Sequence, residues 1–181
     1  MKKIISVLAA STLMVSTSSA ANFIKNHYYM GGGLALEGGF YHDYGLGGAL
    51  LLNGGKEIIK LGPGIIGAEA ELSYSALASS YDSNDYDVDL RVLSLGLFAT
   101  YKYTINKNLY IRPRFGPMFM SYSLDGDDYY DGYDYGYSRG YVALGIGVGY
   151  KLTKNMNLFS DFLVNHAGYR RLSVGLQFKI K

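Results

Sequence analysis

The chain has 181 residues, room for one domain, with 24 Gly and 19 Tyr against three Pro and no Trp. It has no cysteine, which excludes a disulfide frame and thiolate chemistry. Lys2 and Lys3 account for the excess of 17 basic over 15 acidic residues, and both belong to an N-terminal segment with the character of a cleaved leader, so the remaining chain is neutral and offers no footprint for nucleic acid.

Met1–Ala20 reads as a secretory signal peptide: a short basic start, a mostly apolar run from Ile4 to Val15, and small residues Ser18, Ser19 and Ala20 before the cleavage point. The apolar run falls short of the about 20 residues a membrane helix needs. The expected division is therefore 1–20 signal peptide and 21–181 a single domain, with no further domain appended.

Eight strands are predicted between residue 21 and the C-terminus. The first, about His27–Gly38, puts Tyr28, Met30, Leu34 and Leu36 on one face and Tyr29, Gly31, Gly33, Ala35 and Glu37 on the other. A loop near Gly39–Asp43 leads to a second strand, near Gly45–Gly55, where Leu51 blurs the alternation of Leu46, Leu50 and Leu52. A turn is expected over Glu57–Pro63, punctuated by Gly62-Pro63-Gly64. The third strand, Ile65–Ser75, alternates most clearly: Ile66, Ala68, Ala70, Leu72 and Tyr74 against Gly67, Glu69, Glu71, Ser73 and Ser75. After a polar loop over Ala78–Asp87, the fourth runs from about Val88 to Tyr103, and Ile105–Asn108 is a short turn.

Leu109–Ser121 is the fifth strand, with Arg112 and Arg114 opposite Ile111, Phe115 and Phe119. Pro113 and Pro117 cannot donate to a ladder, which predicts a bulge or distorted pairing. The longest loop, Tyr122–Arg139, precedes the sixth strand, Gly140–Leu152. A turn at Thr153–Asn157, a seventh strand at Leu158–Asn165 and a link at His166–Tyr169 lead to the last, Arg171–Lys181. There Leu172, Val174, Leu176, Phe178 and Ile180 alternate with Arg171, Ser173, Gly175, Gln177 and Lys179.

Alternation by itself fits either a membrane barrel or a soluble, lipocalin-like barrel with its apolar face inward. Three features favour lipid. The polar face is crowded with Gly, Ala and Ser, which suit a narrow eight-stranded interior. Tyr101, Tyr103, Tyr150 and Phe178 at one level, and Tyr74 and Phe119 at the other, make two aromatic girdles on the apolar face. The third feature is the last strand. Ser173–Ile180 resembles the C-terminal assembly signal of bacterial outer-membrane barrels, carried by Gly175, Phe178 and Ile180, with Lys181 as a departure. The motifs Y-Y-M-G-G-G-L-A-L, G-A-E-A-E-L-S-Y and S-V-G-L-Q-F-K-I extend the resemblance to the small outer-membrane barrels of the opacity-protein and OmpA-like, porin-family type. The fold expected is all-β, an eight-stranded antiparallel up-and-down transmembrane β-barrel in the outer membrane of a Gram-negative envelope. Its surroundings would be outer-membrane lipid and lipopolysaccharide, and the barrel assembly machinery would insert it.

Two residue sets are candidates for function. Glu37, Glu69, Glu71, Arg112, Arg114, Asp161 and Arg171, with Lys179, fall on the inward face with both signs present. They form either a salt-bridged plug or the lining of a narrow gated pore. The acidic tyrosine loop supplies Asp125, Asp127, Asp128, Tyr129, Tyr130, Asp131 and Asp134. It suits adhesive contact with a host or surface ligand, because Tyr gives contact area at low entropy cost. Its spacing does not match an EF-hand, so no metal or cofactor site is expected. His27 should sit at the periplasmic rim, His42 has no serine nearby in sequence to complete a nucleophile–base pair, and His166 lacks the serine two residues on found in lipid A deacylase barrels. The chain is thus expected to be no enzyme but a structural or adhesin-like surface protein, with a narrow solute channel second and a lipid-modifying enzyme third.

Overall fold

The computed structural model describes residues 22–24, 27–39, 45–83, 86–126 and 135–180. Its strands are β1 (Asn22–Phe23), β2 (Tyr28–Gly38), β3 (Gly47–Leu61), β4 (Gly64–Leu77), β5 (Ser79–Ser83), β6 (Tyr86–Thr104), β7 (Leu109–Gly126), β8 (Tyr135–Lys151), β9 (Met156–Asn165) and β10 (Arg170–Ile180). Each long strand pairs antiparallel with its chain neighbours, and β10 closes onto β2 from Tyr28↔Ile180 to Gly38↔Arg170. The result is a closed eight-stranded antiparallel barrel, in which β1 pads the end of β3 and β5 prolongs the line of β4 against β6.

The barrel is inside out relative to a soluble one. Leu34 is 63% exposed and Leu52 62%, whereas Glu69 is 2% and Arg171 1%. Apolar outward side chains circle the whole wall, far beyond the few hundred Å² that a water-soluble monomer tolerates. Lipid is the solvent this face is built for. On β4 the band runs from Ile66 to Tyr74, matching the about 9–11 residues of a tilted membrane strand. Tyr103, Tyr150 and Phe178 mark one edge and Tyr74 and Phe119 the other, all facing out.

Three short turns gather at one end, together with the start of β2 and the end of β10. Gly62 takes φ +57 to turn β3 into β4 beside Pro63. Asn106 Oδ1 accepts the N–H groups of Asn108 and Leu109, and Thr153 Oγ1 those of Asn155 and Met156. In outer-membrane barrels the short-turn end faces the periplasm.

Several sequence expectations are corrected. Glu57–Leu61 is strand, not turn, because β3 continues past a register shift at Glu57/Ile59 to pair with Gly64–Ile66. Strand also occupies most of the two expected loops: β5 and β6 pair over Ser79–Leu90, and β7 and β8 over Tyr122–Arg139 outside the undescribed residues. Polarity there signals exit from lipid, not the end of pairing. At the prolines the expected distortion is found, as interrupted pairing and not as a bulge. β6–β7 pairing skips Leu97, Phe98, Tyr101 and Lys102, opposite Gly116-Pro117 and Arg112-Pro113, and resumes in the same register.

Candidate functional site

Alternation along β4, β7, β9 and β10 sends every second side chain into a lumen about wide enough for side chains to fill, where buried charges are costly unless they pair with each other. They do so as one alternating chain. Asp161 accepts from Arg112 at 2.8 Å, Arg112 donates to Glu69 at 2.6 Å, and Glu69 accepts from Arg114 at 3.0 Å. Arg114 donates to Glu71 at 2.6 Å, and Arg171 donates to the other oxygen of Glu71. No member exceeds 4% side-chain exposure. Three cations thus face three anions, with every internal member touching two of opposite sign. Tyr29 adds a hydroxyl to Glu69 at 2.9 Å and Ser73 accepts from Arg171 at 3.1 Å. Phe98 lies 4.9 Å below the Arg114 guanidinium.

Glu37 stands apart from the ion chain. It is held by the hydroxyls of Tyr169, at 2.9 Å, and Ser75. Lys179 is exposed at the periplasmic mouth and makes no salt bridge among the described residues. Sequence reasoning missed what lies outward of the ion chain: Leu90, Val92, Met118, Met120, Ala143, Leu163 and Tyr169 form a buried apolar plug across the lumen. The signal was there in parity, since Met118 and Met120 share the inward phase of Arg112 and Arg114.

At the opposite end from the short turns, the wall is uneven. The outward face changes from Leu93 and Phe119 to Arg91, Ser121, Ser123 and Ser138, yet β6, β7 and β8 remain paired well beyond that level. β9 stops at Asn165, which pairs with Ala143. Among the described residues, β8 outward of Val142 therefore pairs with β7 alone. The Val142 N–H points to the vacated side, donating to His166 Nδ1 at 3.4 Å. By alternation, the backbone N–H and C=O groups of Gly136, Ser138 and Gly140 point to that side too. Tyrosines stiffen the base of this sheet. Tyr122 stacks on Tyr137 at 4.6 Å, meets Tyr141 edge-on at 6.5 Å, and donates its hydroxyl to Tyr141 at 3.2 Å. Burial, aided by that bond, raises the Tyr122 phenol above its ordinary range.

Of the acidic-loop residues, Asp125 lies one residue before the end of β7, opposite Asp89 in the backbone register. Asp127, Asp128, Tyr129, Tyr130, Asp131 and Asp134 lie outside the described residues, as does His42. His27 reaches Glu57 at 3.3 Å, while His166 sits beside Tyr141, at the other end of the barrel. Among the described residues no group of His, Asp and Glu could hold a metal ion. Phe178 faces out at the edge of the apolar band, and Ile180 lies beyond it at the mouth of the barrel; Gly175 faces Gly33 across the β10–β2 seam, where an added Cβ would lie 2.8 Å from the Gly33 Cα and 2.7 Å from Phe159.

The profile of the outer membrane protein beta-barrel domain matches residues 5–178. The chain belongs to that family. It is an integral outer-membrane β-barrel protein of the small eight-stranded type. No curated protein matches it in sequence. Among solved structures it is similar to Ail, the attachment invasion locus protein of Yersinia pestis, with TM-score 0.60 at 11% identity, covering 87% of this chain and 100% of Ail. The same Ail in complex with the heparin analogue sucrose octasulfate aligns with TM-score 0.58, at the same identity and coverage. Neisserial surface protein A aligns with TM-score 0.53 at 18% identity, over 90% of this chain and 100% of its own. These likenesses are of fold.

Proposed function

We propose that this outer-membrane barrel is a non-catalytic, adhesin-like surface protein: a filled, non-conducting scaffold holding up a β-sheet whose free β8 edge takes an extended segment of an external partner. The edge at Gly136, Ser138 and Gly140, unpaired among the described residues, carries the reading. Exposed edges recruit strands, and natural proteins guard them with proline, charge or bulges. Here the three edge positions are small and uncharged, leaving the backbone groups accessible for strand addition.

The sequence around the edge sets the chemistry of the partner. In sequence, residues 82–91 and 125–139 carry Asp82, Asp85, Asp87, Asp89, Asp125, Asp127, Asp128, Asp131 and Asp134 against Arg91 and Arg139. A basic extended segment fits that field, and a polysulfated ligand such as the one bound to Ail does not. In this reading residues 1–20 direct export, and Gly175, Phe178 and Ile180 present the last strand to the assembly machinery.

The test is retention of outer-membrane vesicles carrying the chain on immobilised host-surface and matrix proteins. Ser138→Pro removes an edge N–H and obstructs strand addition without touching the lumen. Retention should fall at least about ten-fold, the loss of a few backbone hydrogen bonds, with an unchanged heat-dependent gel shift. Equal retention of variant and parent would refute the edge as the contact.

A further inference from the structure

The periplasmic mouth holds a second feature that the adhesin reading does not use. Below the ion chain the lumen opens into a cavity of about 190 Å³ lined by Tyr29, Ile65, Thr100, Lys102, Asn157 and Lys179, among others. Register places more lysine around it. Lys60 is paired with the cavity-lining Ile65, which is paired in turn with Lys102; Lys151 is paired with Asn157; Lys179 is paired with Tyr29. Directly paired residues send their side chains to the same face. Four lysines from β3, β6, β8 and β10 therefore ring one opening. Lys107 and Lys154 sit in the turns beside it.

Glu57 is the one acidic residue at this end among the described residues. It is already shared between Lys102, at 2.9 Å, and His27, at 3.3 Å. Lys102 is further fixed over the Tyr110 ring at 4.5 Å. Lys60 and Lys151 form no salt bridge among the described residues, and Lys179 acts on Glu57 only through space, beyond salt-bridge distance. Arg112, in the cavity floor, is committed to Glu69 and Asp161. The opening therefore carries an excess of positive charge at the mouth of a low-dielectric tube, which focuses the field on an entering anion.

We infer that this mouth is a binding site for a peptide bearing carboxylates, entering from the periplasm. The lysine ring supplies the attraction. The amide and hydroxyl side chains of Asn155, Asn157, Gln177 and Thr100 supply both donors and acceptors, which match peptide N–H and C=O groups. A simple inorganic anion would use only the donors. Tyr29 and Tyr110 give the backbone an aromatic wall. Such a peptide is carried either by an acidic tail of a periplasmic protein or by the stem peptides of the cell wall, and the two sources share this chemistry.

The experiment uses the full chain folded in nanodiscs of zwitterionic phosphatidylcholine, so that no anionic headgroup competes. A linear glutamate-rich peptide, a cell-wall stem tetrapeptide and inorganic phosphate are each titrated by calorimetry. At least one peptide should bind saturably, and more tightly than phosphate. Lys151→Gln with Lys179→Gln should weaken that peptide at least about ten-fold, and added salt should weaken it further. Arg91→Gln with Arg139→Gln removes the same charge at the far end and should leave binding within about two-fold, since the Debye length is about 10 Å at 0.1 M salt. Should the double lysine variant not fold by gel shift, Lys179→Gln alone carries the comparison. Which peptide binds identifies the source. No saturable binding by either peptide, phosphate binding as tightly, or equal loss in the arginine variant would overturn the assignment.

Discussion

Glu69→Gln is the most informative single change in the barrel. Glu69 sits mid-chain in the ion network, accepting from Arg112 at 2.6 Å, Arg114 at 3.0 Å and Tyr29 at 2.9 Å. Removing a partner from a buried ion pair costs about 3–5 kcal/mol, because the remaining charge loses its compensation. Two features pull the value toward the lower end. Arg112 keeps Asp161 and Arg114 keeps Glu71, and the glutamine oxygen still accepts one bond. About 3 kcal/mol is expected, against a total of about 5–15 for a folded domain, so the barrel should still fold. With a urea slope of about 2 kcal/mol/M, the midpoint should drop by about 1.5 M. The assay is urea unfolding of the chain folded in lipid, followed by tyrosine fluorescence and by the heat-dependent gel shift. Pairing the change with Arg112→Met in a double-mutant cycle should give a coupling of at least about 1.5 kcal/mol. A loss of stability below about 0.5 kcal/mol, a midpoint shift under about 0.25 M, or additive single changes, would show that the ion chain is not what organises the lumen.

In a planar bilayer the parent protein should be electrically silent, and Glu69→Gln with it, because Val92, Met118, Met120 and Leu163 fill the lumen outward of the ion chain; steady conductance would refute the filled scaffold. Gly147→Ala would set a Cβ against Asp161 Oδ1 and 2.9 Å from its Cγ, prising the carboxylate from Arg112. It should cost about 1–3 kcal/mol in the same unfolding assay, and a neutral result would mean that Asp161 has room to move. Gly175→Ala meets the Gly32 carbonyl and the Gly33 Cα across the closing seam, so the gel shift should be lost or slowed, while Ser173→Ala on the same face keeps it. The Tyr122 phenol is raised in the folded state, so its contribution is present below its ordinary pKa of about 10 and lost as pH rises through the folded value. Tyr122→Phe should cost about 0.5–1.5 kcal/mol near pH 8 and flatten the alkaline fall in stability; an unchanged alkaline limb would assign that fall to other tyrosines.

Period-two alternation was enough to place most of the wall. Once Leu172, Val174 and Leu176 alternate with Arg171, Ser173 and Gly175, only two orientations of the strand exist. The same parity set Glu69, Glu71, Arg112 and Arg114 on one face and Leu72 and Phe115 on the other. It could not reveal where strands end, because outside lipid the polar–apolar contrast fades while backbone pairing continues. That is why β7 reaches Gly126 and β8 begins at Tyr135, inside a segment that reads as loop.

What the sequence by itself determined is the count of crossing strands, their inward and outward faces and the girdles, all of which follow from a local repeat that lipid enforces residue by residue. Only the tertiary structure decided which charges meet. Asp161 and Arg112 are 49 positions apart, and Arg171 and Glu71 are 100. Their contacts depend on the stagger of the closed sheet, a global quantity set by all eight pairings together. The edge of β8, unpaired among the described residues, and the lysine ring at the mouth have the same origin. Each is a matter of which strands stop or meet at one level, and strand registers fix that level only when the barrel closes.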